Sequence, residues 1–278
     1  MIRSSGRGTS PRQVSGNHSR RDCLPYGSLP LDRFKITHDY PDPFVVKQGR
    51  GWRPFKTWLR GGDANAHRRY VGRSAGGEAP WEESCRFQLD FLKKRGLQPD
   101  DVFLDIGCGS LRGGLHFIAY LRPGRYLGTD ISAEVVRRGI VHELGMAEFD
   151  RKRPEFVISD GFEFRPFSRA PKFVLASSVF THLPPDHIAL CLKNLRAFVG
   201  DRAVEFFATF TEVESHSRHA GPPHYFGGKQ RLNYTRDEMH DLGRAAGWRT
   251  DYIGVWGHPK NTQTYDTKQQ RLFRFATP

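Results

Sequence analysis

The sequence predicts an α/β protein built on a mostly parallel sheet covered by helices, and three observations predict it. Five short apolar runs recur along the chain, at 102–106, 126–129, 156–158, 172–180 and 203–210, with helical patterns at 132–143, 186–199 and 235–246 between several of them. Strand, helix and strand at that spacing call for crossover connections and hence parallel pairing. The first three runs each close on an acid: Asp105, Asp130 and Asp160. The first run also turns over glycines into a helix, and such a turn leaves a crevice at the strand's carboxyl end, where nucleotide-like ligands bind.

The elements follow in order. Pro80-Trp81-Glu82-Glu83-Ser84 opens a helix whose apolar residues Phe87, Phe91 and Leu92 should pack on the sheet; Lys93-Lys94-Arg95-Gly96 closes it. Val102-Phe103-Leu104-Asp105-Ile106 reads as the first main strand, followed by Gly107-Cys108-Gly109 and a helix over Leu111–Leu121. Tyr126-Leu127-Gly128-Thr129 is the second, ending in Asp130, which stands 21 residues after Gly109. That is the spacing of a carboxylate that accepts hydrogen bonds from a ribose diol. Phe156-Val157-Ile158 leads into Asp160-Gly161, and the fourth run leads into Thr181-His182-Leu183-Pro184-Pro185. The fifth ends ahead of a Gly- and Pro-rich stretch, Gly221–Gly228, placed where a lid over an acceptor would ride on the scaffold. Residues 251–256 and 271–275 read as two closing strands.

A dinucleotide site wants G-x-G-x-x-G, so that backbone can reach a pyrophosphate at the helix N-terminus. Gly107 and Gly109 fit that pattern, but Arg112 stands at its third position, and the dehydrogenase reading fails there. The stretch instead resembles the first motif of the class I S-adenosylmethionine-dependent methyltransferases, acid-x-Gly-x-Gly-x-Gly, with a departure at the last glycine, where Leu111 stands. The resemblance implies a Rossmann-like three-layer sandwich with a seven-stranded, mostly parallel sheet and an antiparallel last strand. It also implies S-adenosyl-L-methionine as cofactor, with Asp105, Gly107, Cys108 and Gly109 around its methionine part and Asp130 and Ile131 at the ribose. Asp160 and Gly161 would lie near the adenine, and Ser178 would line the site from the fourth strand. Ser178-Val179-Phe180-Thr181-His182-Leu183 and the terminal Gly247-Trp248-Arg249…Gly257-His258-Pro259 resemble a bacterial subgroup of mostly unassigned substrate. The likeness spans about residues 81–278, the expected methyltransferase domain.

Charge is concentrated at the start of the chain. Through Ala75 there are 15 Lys and Arg against 5 Asp and Glu, a net +10 of the +13 carried by all 278 residues. Residues 1–43 are expected to be a disordered basic tail, because five arginines, five serines and no acid in the first 21 residues cannot bury enough apolar surface to offset chain entropy. Residues 44–80 interleave Phe44, Trp52, Phe55 and Trp58 with Lys47, Arg50, Arg53, Lys56 and Arg60. Such an arm can grip a nucleic acid or pack its aromatics on the domain and help close the acceptor site; the second reading is favoured. Cys23, Cys85, Cys108 and Cys191 are scattered without a C-x-x-C pair, as expected of reduced thiols in a cytoplasmic protein without a zinc site. No run of 18 apolar residues offers a membrane span.

Methyl transfer to a neutral hydroxyl benefits from a base that works near pH 7, which makes histidine the natural candidate. His182 is the first candidate, followed by His224 and Tyr225 in the Gly- and Pro-rich stretch. No metal set is expected: Asp186 and His187 alone make a weak case. The expected reaction is methylation of a hydroxyl on a small-molecule or glycosidic acceptor, with an anionic acceptor compatible. Two other functions are compatible with parts of the sequence. A nucleic-acid methyltransferase is less favoured, because Ser177-Ser178-Val179-Phe180 replaces the Asn/Asp-Pro-Pro-aromatic motif of amino-methylating enzymes. A non-catalytic cofactor-binding module is the other.

Overall fold

The computed structural model describes residues 33–37, 80–214, 232–257 and 270–278. Their elements are β1 (Lys35–Ile36), α1 (Pro80–Lys94), β2 (Phe103–Ile106), α2 (Gly114–Tyr120), β3 (Tyr126–Asp130), α3 (Ala133–Gly139), α4 (Met146–Lys152) and β4 (Glu155–Ile158). Then come β5 (Phe173–Ala176), α5 (Pro185–Val199), β6 (Glu205–Glu212), β7 (Asn233–Tyr234), α6 (Arg236–Ala245), β8 (Arg249–Val255) and β9 (Gln270–Ala276). The sheet runs β1-β4-β3-β2-β5-β6-β9-β8, with β7 paired to β6. Every pairing is parallel except those of β9, which lies antiparallel between β6 and β8. The seven main strands and the inserted antiparallel last strand match expectation. The two additional strands, β1 and β7, are two-residue edges that a hydropathy pattern does not register.

Alternation along each strand divides the core between two faces. Leu104, Ile106, Val174, Phe206 and Phe275 bury with Ile188, Leu192 and Leu195 of α5 and Met239 of α6. Phe103, Leu175, Phe207 and Leu272 bury on the other face with Leu92 of α1, Phe117 and Ile118 of α2, and Val136 of α3. Burial on both faces explains why β5 reads as a continuous apolar run and why β2 is apolar except at Asp105. Phe87 and Phe91 of α1 meet Trp256 edge-on, with ring centroids 4.9 and 5.1 Å apart, and Phe91 also meets Phe207 at 5.2 Å. The helix face expected from the sequence is thus the one used.

Three local differences have physical causes. Residues 33–37, which composition placed in the disordered tail, form the sheet edge: Phe34 buries beside Phe156, and Lys35 and Ile36 extend β4. One apolar residue and a free strand edge outweigh the composition there. The helix expected from Leu111 begins only at Gly114, because Leu111 holds a left-handed φ of 62°. The pattern at 132–143 begins as expected, with Ser132 capping α3 through the Val135 amide, and then widens into a π turn, Ile140–Leu144. The arm expected over 44–80 lies outside the described residues apart from Pro80.

Candidate active site

The carboxyl ends of β2, β3, β4 and β5 bring the three acid-terminated motifs together. Gly107 and Cys108 donate backbone hydrogen bonds to the Thr129 carbonyl at 2.8 and 3.1 Å, so the glycine turn folds over the end of β3. The Gly109 amide donates to Asp130 Oδ2 at 2.9 Å, and the Ser132 amide to Oδ1 at 3.0 Å. Both carboxylate oxygens are therefore aimed by backbone, and the two motifs read separately in the sequence form one unit. Glycine is required at the turn for two reasons. Gly107 and Gly109 have φ of 71° and 53°, and a Cβ on Gly107 would stand 2.5 Å from Val179 Cγ2. A Cβ on Gly109 would meet nothing nearer than the Gly107 carbonyl at 4.0 Å, so the turn is open to close approach on that side. Leu111 keeps the left-handed conformation at the motif's third glycine position while its side chain is fully buried. Packing there offsets a backbone preference that disfavours leucine by about 1–2 kcal/mol.

Beneath the turn lies a buried acid. Asp105 is 6% exposed and accepts a 2.8 Å hydrogen bond from the Tyr126 hydroxyl. Burial raises its carboxyl to about 7; the Tyr126 hydrogen bond pulls it down, and the nearby Asp130 charge pushes it up. The same burial, with both carboxylates nearby, pushes the Cys108 thiol well above its ordinary range. Cys108 is therefore a poor nucleophile. It serves as a small wall, with its sulfur 3.1 Å from where a Cβ on Gly128 would stand. A Cβ on Gly114 would meet the Tyr126 hydroxyl at 2.4 Å, so the helix start must be bare to admit the Tyr126–Asp105 bond.

On the adenine side of the resemblance, Ile131 is half-buried and Asp160 is exposed. Ser159 Oγ accepts from the Gly161 and Glu163 amides at 3.2 and 3.1 Å, and Asn194 of α5 donates to the Gly161 carbonyl at 3.0 Å. On the other side, Ser178 has φ of 62° and is exposed; its amide donates to Thr209 Oγ1 at 2.7 Å, and its hydroxyl lies 2.9 Å from Gln270 Nε2. His182 ends a short 3-10 turn, Phe180–His182, and is exposed at the same edge. His224 and Tyr225 lie outside the described residues. The stem that carries their segment does not: β7 pairs with the end of β6, and the Leu232 amide donates to the Thr181 carbonyl at 2.8 Å, one residue from His182. Tyr234 Oη donates to the Leu183 carbonyl.

Sequence reading missed Tyr126, Gln88, Thr209 and Gln270, which hold the site residues in place. Gln88 is buried and reaches Ser177 Oγ at 3.3 Å from α1. Tyr126 stands opposite Phe103 in register, which sets its ring beside Asp105 on the same face. The identities of these residues are visible in the sequence, but nothing there states the register that joins them. Among the described residues no group of three or more His, Cys, Asp or Glu is placed to hold a metal ion. No helix among them is long and apolar enough to cross a membrane.

Solved structures share this architecture. Magnesium protoporphyrin IX methyltransferase from Synechocystis PCC 6803, solved with S-adenosylmethionine bound, superposes with a TM-score of 0.51 at 14% identity, over 87% of this chain and 100% of its own. An S-adenosylmethionine-dependent methyltransferase from Clostridium acetobutylicum gives 0.52 at 10% identity, over 77% of this chain and 97% of its own. The glycopeptide N-methyltransferase MtfA gives 0.50 at 15% identity, over 70% and 90%. No protein-family model matches the sequence. The chain has the Rossmann-like fold of the class I S-adenosylmethionine-dependent methyltransferases.

Proposed function

We propose that this protein transfers the methyl group of S-adenosylmethionine to a hydroxyl on a small-molecule or glycosidic acceptor. The observation that carries the reading is the hydrogen bond from Gly109 to Asp130, which fixes against an open glycine turn the carboxylate that would accept from a ribose diol. The residues fit the cofactor: Gly107 and Gly109 offer bare backbone, Asp130 offers oriented acceptors, and Asp105 adds a second carboxyl beneath them. A ligand cation beside Asp105 would favour its ionised form. When bound, S-adenosylmethionine supplies a methyl group already activated by positively charged sulfur.

The protein's remaining task is to align and to move one proton. In this reading His182, exposed at the end of the Phe180–His182 turn, would accept the proton released by the acceptor hydroxyl. The Leu232 amide, bonded to the Thr181 carbonyl, brings the described chain back to within one residue of His182. The fold supports no narrower choice of acceptor, since the neighbours named above include a porphyrin and a glycopeptide methyltransferase.

Calorimetric titration with S-adenosylhomocysteine, repeated on Asp130→Ala, tests the reading. Micromolar binding weakened by about tenfold or more, roughly 1.4 kcal/mol, is the expected result. A folded wild-type protein that binds nothing would overturn the proposal.

A further inference from the structure

The cofactor crevice occupies the carboxyl edge of the sheet, the side on which open α/β sheets take their ligands. The amino edge of the same sheet holds a second cavity that this chemistry does not use. It has a volume of about 460 Å³ and is walled by the entry to β1, the Pro123–Gly124 turn before β3, the end of α4 with the start of β4, and the loop ahead of β5. Its charged lining is Arg33, Lys35, Arg153 and Arg169 against the single carboxylate of Glu155.

That carboxylate is already committed. Glu155 accepts from Lys35 Nζ at 3.2 Å, from the Ser168 amide at 3.0 Å and from the Ser168 hydroxyl. Lys35 also donates to the Pro166 carbonyl at 2.6 Å. Arg33 pairs with Asp150 at 3.1 Å and lies 4.8 Å above the Phe149 ring. Among the described residues neither Arg153 nor Arg169 has a carboxylate partner; the Arg169 Nε donates to Ser168 Oγ at 3.2 Å. The Arg169 guanidinium lies 3.7–3.9 Å from where a Cβ on Gly124 would stand, so it rests against bare backbone. Arg153 ends α4 in the left-handed region, φ 49° and ψ 51°, where glycine or asparagine is the usual residue. The cavity thus keeps an excess of two positive charges, both guanidiniums, in a space within the usual range of ligand sites.

We propose that this amino-edge cavity binds a phosphate group, as a phosphomonoester or diphosphate, through Arg153 and Arg169. Guanidinium pairs with phosphate oxygens in fork geometry, and two of them suit a diphosphate better than a lone carboxylate. The site is separate from the cofactor crevice, and the inference stands whether or not the methyltransferase reading does.

The test is calorimetric titration of the full chain with inorganic pyrophosphate in low-salt buffer, repeated on the double variant Arg153→Asn, Arg169→Gln. Both side chains are exposed, and asparagine tolerates the left-handed backbone, so the variant should fold as the wild type does. Saturable binding that the double variant weakens by about tenfold or more, with S-adenosylhomocysteine binding unchanged, is expected. A nucleoside diphosphate that binds more tightly than pyrophosphate would identify a small ligand. Equal affinities would place recognition in the phosphates alone, as for a group carried on a larger molecule. No saturable binding, or binding that survives the double variant and disappears on removal of residues 1–32, would overturn the proposal.

Discussion

At the end of β3 Asp130 is fixed by backbone amides, whereas at the ends of β5 and β6 Ser178 and Glu212 are fixed by side chains distant in sequence. Asp130 is aimed by the amides of Gly109 and Ser132, and the glycine turn is pinned to the Thr129 carbonyl. Ser178 is held by Thr209 and Gln270, and the stem of the segment after β6 is held by Glu212. That carboxylate accepts from Tyr252 at 2.7 Å, from Arg236 at 3.1 Å and from Arg271 at 3.1 Å. Under the proposed function, the difference matches what each half would do. A cofactor of fixed shape suits a backbone cradle; an acceptor side, which differs between enzymes of one fold, suits side chains that can change singly.

The comparison is sharpened most by Asp105→Asn. Between the unfolded carboxyl value of 3.8 and the native value of about 7, the folded protein keeps a proton that the unfolded chain has released. The Asp105 contribution to wild-type stability therefore falls as pH rises through that window and levels off above it. The Asn variant lacks this slope, so urea melts from pH 4 to pH 8 should show it gaining on the wild type, by up to about 4 kcal/mol at about 1.4 kcal/mol per unit. Parallel pH profiles would break the claim that the cofactor half holds its buried acid at the expense of stability.

Gly107→Ala comes next, with an expected loss of about 3 kcal/mol from a left-handed alanine and its overlap with Val179. Chemical denaturation measures it, and a loss below 1 kcal/mol would show the turn to be more compliant than its geometry states. For the acceptor half, His182→Ala should lower methyl transfer to phenolic or sugar hydroxyls by about a hundredfold, near 2.7 kcal/mol. S-adenosylhomocysteine affinity should stay the same, and a joint fall in both would move His182 into the cofactor half. The smallest effect is Glu212→Gln. Burial by itself would raise this carboxyl, but Tyr252, Arg236 and Arg271 together hold it below its ordinary range. Its stabilisation is therefore present above the unfolded value and lost as pH falls. The variant should cost about 1 kcal/mol at neutral pH, and the gap should close in acid, as read by thermal melts.

Much of the fold could be read along the chain, because a strand buried on both faces must be apolar and a helix packed on one face must be periodic. The runs around Leu104, Leu127, Val157, Val174 and Phe206 show the first rule, and Phe87, Phe91 and Leu92 show the second. The glycine turn was legible for a related reason: a left-handed backbone leaves its mark in residue type. The same rule hid the departure at Leu111, where packing overrides the preference and the helix starts three residues later. The edge strand at Lys35–Ile36 was hidden because two residues carry no period, and its place depends on the free edge of β4.

By itself the sequence determined the order of the seven main strands and the helices between them, the three acids at or near the ends of β2, β3 and the β4 run, and the need for bare backbone at Gly107 and Gly109. These are local demands of conformation and burial, and each is met by residue type at a position. Only the tertiary structure decided that Tyr126 donates to Asp105, that Gly109 and Ser132 aim Asp130, that Gln270 reaches Ser178 and that Arg153 and Arg169 share a cavity at the far edge. Those pairings follow from strand register and chain crossing, which bring together residues up to 92 positions apart, and no local pattern encodes such contacts.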